Sequence, residues 1–287
     1  MIHIEYITNI DNPQNFNSNN HDKDINDIEI VNKDYKTEIA KTNLSMYAEL
    51  ICYPIVWQYT FTLREIHMLY TICETGIIVT RRPKIFDDEI DSLVNELTQF
   101  WIDGEWFARF DACSMKDAGK KIPYKSPIDV IDAIITSKRA YNALIDVINL
   151  QQSTMTLSFV AYNKNWQQDH ELRCFIRNRQ LTCISQYNWF AYGYFGSLCE
   201  MQLITIAHDV QTFIAGKIDV ICDKINTNDL VMDIYVLIDD TGETAISIIE
   251  LNSFGYWLAS GSGLFHWLSD KDKLYNSVGD VYFRVLI

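Results

Sequence analysis

The chain has 287 residues, 48% of them hydrophobic, and a formal net charge of −14 at neutral pH. That apolar content can bury a core in one large or two modest domains, which excludes disorder throughout. The acidic balance argues against holding nucleic acid by bulk attraction, since neutralising phosphates takes clustered Lys and Arg. Apolar runs stay well short of the roughly 20 residues that span a bilayer, and Met1–Tyr6 lacks a basic start before an apolar stretch. Seven cysteines are scattered without a C-x-x-C pair. The expectation is a monomeric protein of the cytoplasm with reduced thiols, no membrane segment and no zinc site.

In chain order, residues 1–40 are rich in Asn and Asp and poor in aromatics, and read as a poorly ordered extension that burial cannot compensate. From Leu44 the run LSMYAELICYPIVWQYTFTLREI suits a buried helix followed by extended chain. Ile77–Thr80 reads as a short strand and Arg81–Lys84 as a basic turn. In Asp87–Trp101, Ile90, Leu93, Val94, Leu97 and Trp101 fall at helical spacing behind an acidic first turn, where the helix dipole favours negative charge. Glu105–Ala118 reads as a strand entering a polar loop, Ser114–Asp117. Arg109 in that strand is either an edge residue or, with Ser-x-Lys-Asp after it, part of a phosphate clamp. Ser126-Pro127 opens a helix as cap and first residue.

Met155–Tyr162 reads as a strand, and Glu171–Phe175 with Leu181–Ser185 as a strand pair. Arg173, between Leu172 and Cys174, needs an anion, a carboxylate or solvent, and a surface cross-strand pair would satisfy it. Tyr187–Phe195 is an aromatic patch of the kind found in a core or at a partner surface. Leu198–Val220 reads as one long helix, Gly255–Gly263 as a loop, and Val281–Ile287 as a last strand.

Two apolar runs, Leu230–Ile238 and Ala245–Leu251, flank Asp239-Asp240-Thr241-Gly242, a turn composition suited to a β-hairpin. A turn centred near Asp240 and Thr241 sets Asp233 across from about Ile248. Glu250 and Asn252 then share the face of Asp233, because strand side chains alternate with period two. Carboxylates among Val, Met, Ile and Leu are costly to bury without a positive neighbour, and Mg²⁺, an oxygen-seeking cation that needs few protein carboxylates, suits them. The alternative is a half-exposed sheet with Asp233 and Glu250 facing solvent.

Taken together, WFARFDACSMKDA, ELRCFI, CISQYNWF, DIY and IIELNSFG resemble, in order and spacing, segments of the cell division cycle protein 123 family that read roughly FxKLNWSxPKDA, EFRCFV, ISQRDY, DIY and IDFNPFG. With Tyr53-Pro54 near the start, the resemblance covers about residues 45–287. It implies an α+β protein of the ATP-grasp fold, with subdomains over residues 41–160 and 161–287 and Mg-ATP between them. It also implies an assembly factor for translation initiation factor two that binds its gamma subunit. Carried over, Asp233 falls at the DIY aspartate and Glu250 and Asn252 at the D-x-N metal-ligand pair. Arg109, Lys116 and Arg173 become cations around the triphosphate, Asp117 completes the Lys-Asp of the loop, and Leu157–Tyr162, with Val160 and Tyr162, supplies the adenine side. The chain departs from the pattern where Arg109 replaces Lys and where Met115 and Ser253 replace prolines, and after Gly255, where a Gly/Ser run replaces an acidic segment. An ATP-grasp ligase, joining a carboxylate to an amine or thiol or joining RNA, is the alternative function.

Overall fold

The computed structural model describes residues 1–8, 15–18, 35–238, 243–258 and 260–287. The chain divides into two compact units, one made of Met1–Cys52 with Asn165–Ile287 and the other of Tyr53–Lys164. The first expected subdomain thus begins later than residue 41, and its complement is discontinuous.

In the Tyr53–Lys164 unit, β2 (Ile55–Thr62), β3 (Trp106–Phe110) and β4 (Thr154–Ala161) form an antiparallel sheet with β4 in the middle. One face is apolar because Trp57, Tyr59 and Phe61 alternate with exposed Val56, Gln58, Thr60 and Thr62. Trp57 stacks on Phe159 at 3.7 Å. The helix α3 (Leu63–Val79) starts directly after β2 through a capping box in which Thr62 accepts from the Glu65 N–H and Glu65 accepts from the Thr62 N–H. The helices α4 (Asp87–Thr98), α5 (Pro127–Thr136) and α6 (Lys138–Asn149) complete the unit. Ile77–Thr80, expected as a strand, is instead the end of α3. Ile72, Cys73 and Gly76 lie buried at helical spacing, and that packing overrides the β-branched composition. Gly76 is required there, since an added Cβ would overlap the Ile135 carbonyl oxygen of α5.

The other unit holds a six-stranded sheet of β1 (Ile2–Ile7), β5 (Glu171–Arg177), β6 (Gln180–Gln186), β7 (Leu230–Ile238), β8 (Thr244–Ser253) and β9 (Val281–Leu286), in the order β1-β9-β6-β5-β7-β8. Two short helices, α1 (Tyr35–Ala40) and α2 (Leu44–Tyr47), precede β2 in the chain. The expected long helix is two, α7 (Glu200–Ala215) and α8 (Ile218–Ile225), broken at Gly216-Lys217. A short helix, α9 (Lys271–Leu274), precedes β9. Phe175, Phe254, Phe265, Trp267 and Leu274 pack as one core cluster.

The expectation of weak order over residues 1–40 fails at three places. Ile2–Ile7 pairs in parallel with Val281–Leu286 at all six positions, Ser18 accepts from the Trp267 N–H at 2.8 Å, and Tyr35–Ala40 is helical. The apolar alternation of IHIEYI is satisfied by a partner far along the chain, which composition does not reveal. Residues 9–14 and 19–34 lie outside the described residues, as does the expected Asp239–Gly242 turn.

Candidate functional site

A single row of facing residues crosses the six-stranded sheet. Glu5 faces Arg284, Arg284 faces Ser185, Ser185 faces Arg173, Arg173 faces Asp233, and Asp233 faces Glu250. Directly opposite residues project to the same side, so an otherwise apolar face carries a polar belt. Asn252 faces Val231, one row further along on that face. The expected partner of Asp233 was about Ile248. The partner is Glu250, because a bulge between Asp233 and Ile234 leaves Ile249 unpaired and shifts the register.

The centre of the belt is dry. Arg173 donates to both Asp233 oxygens, from Nε and from Nη2, at 2.8 Å each. A third bond runs from Nη1 to the Gly261 carbonyl at 2.7 Å, and the guanidinium lies 5.0 Å from the Tyr187 ring centre. Burial alone would lower the Arg173 pKa, but the charge and hydrogen bonds of Asp233, then Tyr187 and Glu250, outweigh it and hold the pKa above its ordinary value. The same burial, with the Asp233 charge beside it, pushes the Cys174 thiol well up. Arg173 therefore meets the carboxylate its position called for, inside the sheet rather than at the surface.

The donor set accommodates a hard cation in a changed form. Asn252 donates through Nδ2 to Asp233 Oδ2 at 3.1 Å, which turns its own carbonyl oxygen to other partners. A carboxylate offers about four acceptor positions, and Arg173 with Asn252 takes three of those on Asp233. A divalent ion held here would take Glu250 and the Asn252 carbonyl as its oxygen donors, with Asp233 an anchor that has one position left. Among the described residues, no three His, Cys, Asp or Glu side chains are grouped to hold a metal. Magnesium, which keeps several ligands from water or phosphate, is the hard cation that this reduced set fits.

In the other unit, Arg109 is buried on β3 and faces Ser158, whose hydroxyl accepts from the Gln58 amide at 2.9 Å. Gln58, Ser158 and Arg109 thus form a second polar row, on the sheet face opposite the aromatic core. A backbone bridge between Arg109 and Ser114 brings the Ser114–Asp117 loop to Arg109. Lys116 is exposed on that loop. Asp117 holds the loop down, accepting from the Ser137 hydroxyl at 2.6 Å and from the Arg139 N–H at 3.1 Å, at the start of α6. The adenine assignment does not suit Val160, a central-strand residue paired with Ile55 on one side and Phe107 on the other. At Tyr162 the N–H already donates to the Glu105 carbonyl at 2.9 Å, so a base edge could use only the carbonyl there.

Sequence reasoning did not single out Glu5, Ser185, Arg284, Gln58 or Ser158. For Arg284 the only local signal was one charged residue inside an apolar strand, VYFRVL.

The two mixed α/β units, each built on a sheet, have an ATP-grasp-like fold. The D123 family model matches residues 82–286, and the chain belongs to that family, the family of Cdc123. A putative CDC123-like protein of Acanthamoeba polyphaga mimivirus is 31% identical over 216 residues, covering 73% of this chain and 61% of that protein. The chain thus spans about three fifths of the length of this relative. Cdc123 from Schizosaccharomyces pombe superposes with a TM-score of 0.54 at 15% identity, covering 87% of this chain and 97% of that one. Its C-terminally truncated form gives 0.54 at 14% identity, with the same coverage. Among the described residues, no helix is long and apolar enough to cross a membrane.

Proposed function

We propose that this protein binds ATP with Mg²⁺ and serves in the cytoplasm as an assembly factor that docks on the gamma subunit of translation initiation factor two. The belt Arg173–Asp233–Glu250, with Asn252 one row away, is the observation that carries the nucleotide reading. Asp233 fixes the Arg173 fork so that its remaining N–H groups can meet a phosphate oxygen without first losing side-chain freedom. Glu250 and the Asn252 carbonyl hold the metal, which when bound neutralises polyphosphate charge. Arg109 and Lys116 stand at positions where the family pattern has phosphate-contacting cations. Nucleotide in this reading is a structural ligand, which stabilises the conformation that binds it in proportion to the logarithm of its concentration over Kd. Family membership is what supports the partner.

Thermal unfolding with and without Mg-ATP tests the site. At a hundredfold excess over Kd the gain is about 2.7 kcal/mol, and Glu250→Ala or Asn252→Ala abolishes it, each variant being compared with its own unliganded melting temperature. Absence of a shift in the wild-type protein rejects the nucleotide reading. Sustained ADP or AMP release with an amine or thiol acceptor would make the protein a ligase. Pull-down with purified gamma subunit tests the partner separately.

A further inference from the structure

The run Ser260-Gly261-Ser262-Gly263 has little tendency to hold one shape by itself, because glycine loses the most conformational freedom on ordering. The loop it opens nevertheless sets three neighbouring members of the polar belt. The Gly261 carbonyl accepts from Arg173 Nη1 at 2.7 Å. The Leu264 N–H donates to Ser185 Oγ at 2.8 Å, and the Leu264 carbonyl accepts from Arg284 Nη1 at 3.0 Å.

The loop is held in turn by Asn17 and Ser18, far away in the chain but in the same compact unit. The Asn17 N–H donates to the Gly263 carbonyl at 2.7 Å and to the Phe265 carbonyl at 3.1 Å, and the Gly263 N–H donates to Asn17 Oδ1 at 3.2 Å. Ser18 Oγ, which accepts from the Trp267 N–H, lies 3.2 Å from Ser262 Oγ. Asn17 takes φ 47°, a left-handed backbone that Asn tolerates better than most residues. Its side chain fills the space that Gly261 leaves, since a Cβ on residue 261 would stand 2.3 Å from Asn17 Oδ1. Ser18 and Ser262 are buried, so loosening this clasp would leave buried polar groups unpaired, which is costly.

We propose that Asn17 and Ser18 are positioning residues for Arg173, holding the Gly261 carbonyl on Nη1 and thereby aiming the guanidinium at an anion. Asp233 takes one N–H from Nε and one from Nη2, and Gly261 takes one from Nη1. Of the five N–H groups of an arginine, one on each terminal nitrogen is then left for a phosphate oxygen. A guanidinium fixed at all three nitrogens gives up little freedom when that anion arrives. The identity of the anion rests on the nucleotide reading above, whereas the hold on Arg173 does not. Linkage makes the effect reciprocal, so a ligand that needs Arg173 in place tightens the clasp as much as the clasp tightens the ligand.

NMR of the full chain, following the Arg173 Nε–H resonance and the exchange of backbone amides, tests it alongside Mg-ATP binding. Asn17→Gly removes the carboxamide and keeps a residue at ease at positive φ. It should shift the Arg173 resonance, quicken exchange at Gly263 and Trp267, and raise the Kd of Mg-ATP by about fivefold or more. Gly261→Ala should act likewise by displacing Asn17, and Gly261→Ala combined with Asn17→Gly should be no worse than Asn17→Gly alone, the added methyl group then having room. In the wild-type protein Mg-ATP should slow exchange at Gly263 and Trp267. Equal Mg-ATP affinity in wild type and Asn17→Gly, an unmoved Arg173 resonance, or wild-type exchange that bound Mg-ATP leaves unchanged would overturn the proposal and leave the nucleotide reading standing. A wild-type chain that Mg-ATP fails to stabilise rejects the nucleotide reading instead. The Arg173 resonance then decides alone, its shift in Asn17→Gly upholding the positioning role and its constancy overturning it.

Discussion

Arg173 and Asp233 close on each other across β5 and β7 through two parallel hydrogen bonds, with side chains only 12% and 2% exposed. Removing one partner of such a pair leaves an uncompensated buried charge, which costs about 3–5 kcal/mol. Arg173→Ala and Asp233→Ala should each lower the unfolding free energy measured in urea by that amount, while Arg173→Met combined with Asp233→Leu recovers most of the loss. A double variant no more stable than the singles would mean that the belt needs its charges and not merely their mutual neutralisation. Loss of nucleotide binding in Asp233→Ala alone would be ambiguous for the same reason, so Glu250 and Asn252 are the residues that report on the metal.

The hairpin that carries these residues was legible in the sequence because it is local. Alternation on both arms and an Asp-Gly turn composition set the face shared by Asp233, Glu250 and Asn252. The bulge beside Asp233 was not legible, since one extra residue in a strand leaves no mark on composition. β1 escaped notice for a different reason. Parallel pairing with Val281–Leu286 involves no connecting turn, so only the fold brings Glu5 to Arg284. Arg173 called for a neutralising partner, and the register of β5 on β7 supplies it. Val160 and Tyr162 were placed by position in the family pattern, and strand pairing and the bond to Glu105 limit what they can do.

Helix α3 crosses α5 at Gly76 with no space for a side chain, because a Cβ there would meet the Ile135 carbonyl oxygen. Gly76→Ala should destabilise by about 1–3 kcal/mol, the usual cost of overpacking. Gly216, after α7, has φ −73°, and its nearest contact for an added Cβ is 3.6 Å away at Thr212. Gly216→Ala should therefore stabilise by about 0.4–1 kcal/mol through the unfolded chain. Opposite shifts of the urea midpoint in the two variants check the contrast.

Asp117 separates a structural from a nucleotide role for the Lys-Asp loop. Its carboxylate accepts from Ser137 and from the Arg139 N–H, while Ser137 in turn accepts from the Ala140 N–H. Asp117→Ala should cost about 0.5–2 kcal/mol, as loss of a helix cap does, and leave the Mg-ATP stabilisation nearly intact. Lys116→Ala should do the reverse. Equal loss of nucleotide stabilisation in both variants would place Asp117 in the phosphate site.

Glu5 ties the outermost strand to the rest of the sheet and should set part of the acid limb of stability. Lys273 bonds to one of its oxygens, and Arg284 donates Nε to the other at 2.7 Å. Arg284 is itself forked onto Asp270, at 2.7 and 2.6 Å, with its guanidinium 4.3 Å from the Phe265 ring centre. Burial would raise the Glu5 pKa, but the hydrogen bonds and charges of Lys273 and Arg284 prevail and hold it below its ordinary 4.5. A carboxylate with a lowered folded pKa binds fewer protons in the native state than in the unfolded one. Its stabilisation is therefore complete above pH 4.5 and is lost as the pH falls through the lower folded value. Glu5→Gln should be less stable than wild type at neutral pH and fall less steeply on acidification, the two curves converging at low pH. Other carboxylates also titrate there, so the difference between the curves is the quantity to measure. Amide exchange of Ile2–Ile7 should quicken in the variant at neutral pH. Parallel acid limbs for the two proteins, with unchanged exchange in β1, would mean that the strand is held by its backbone ladder and apolar side chains alone.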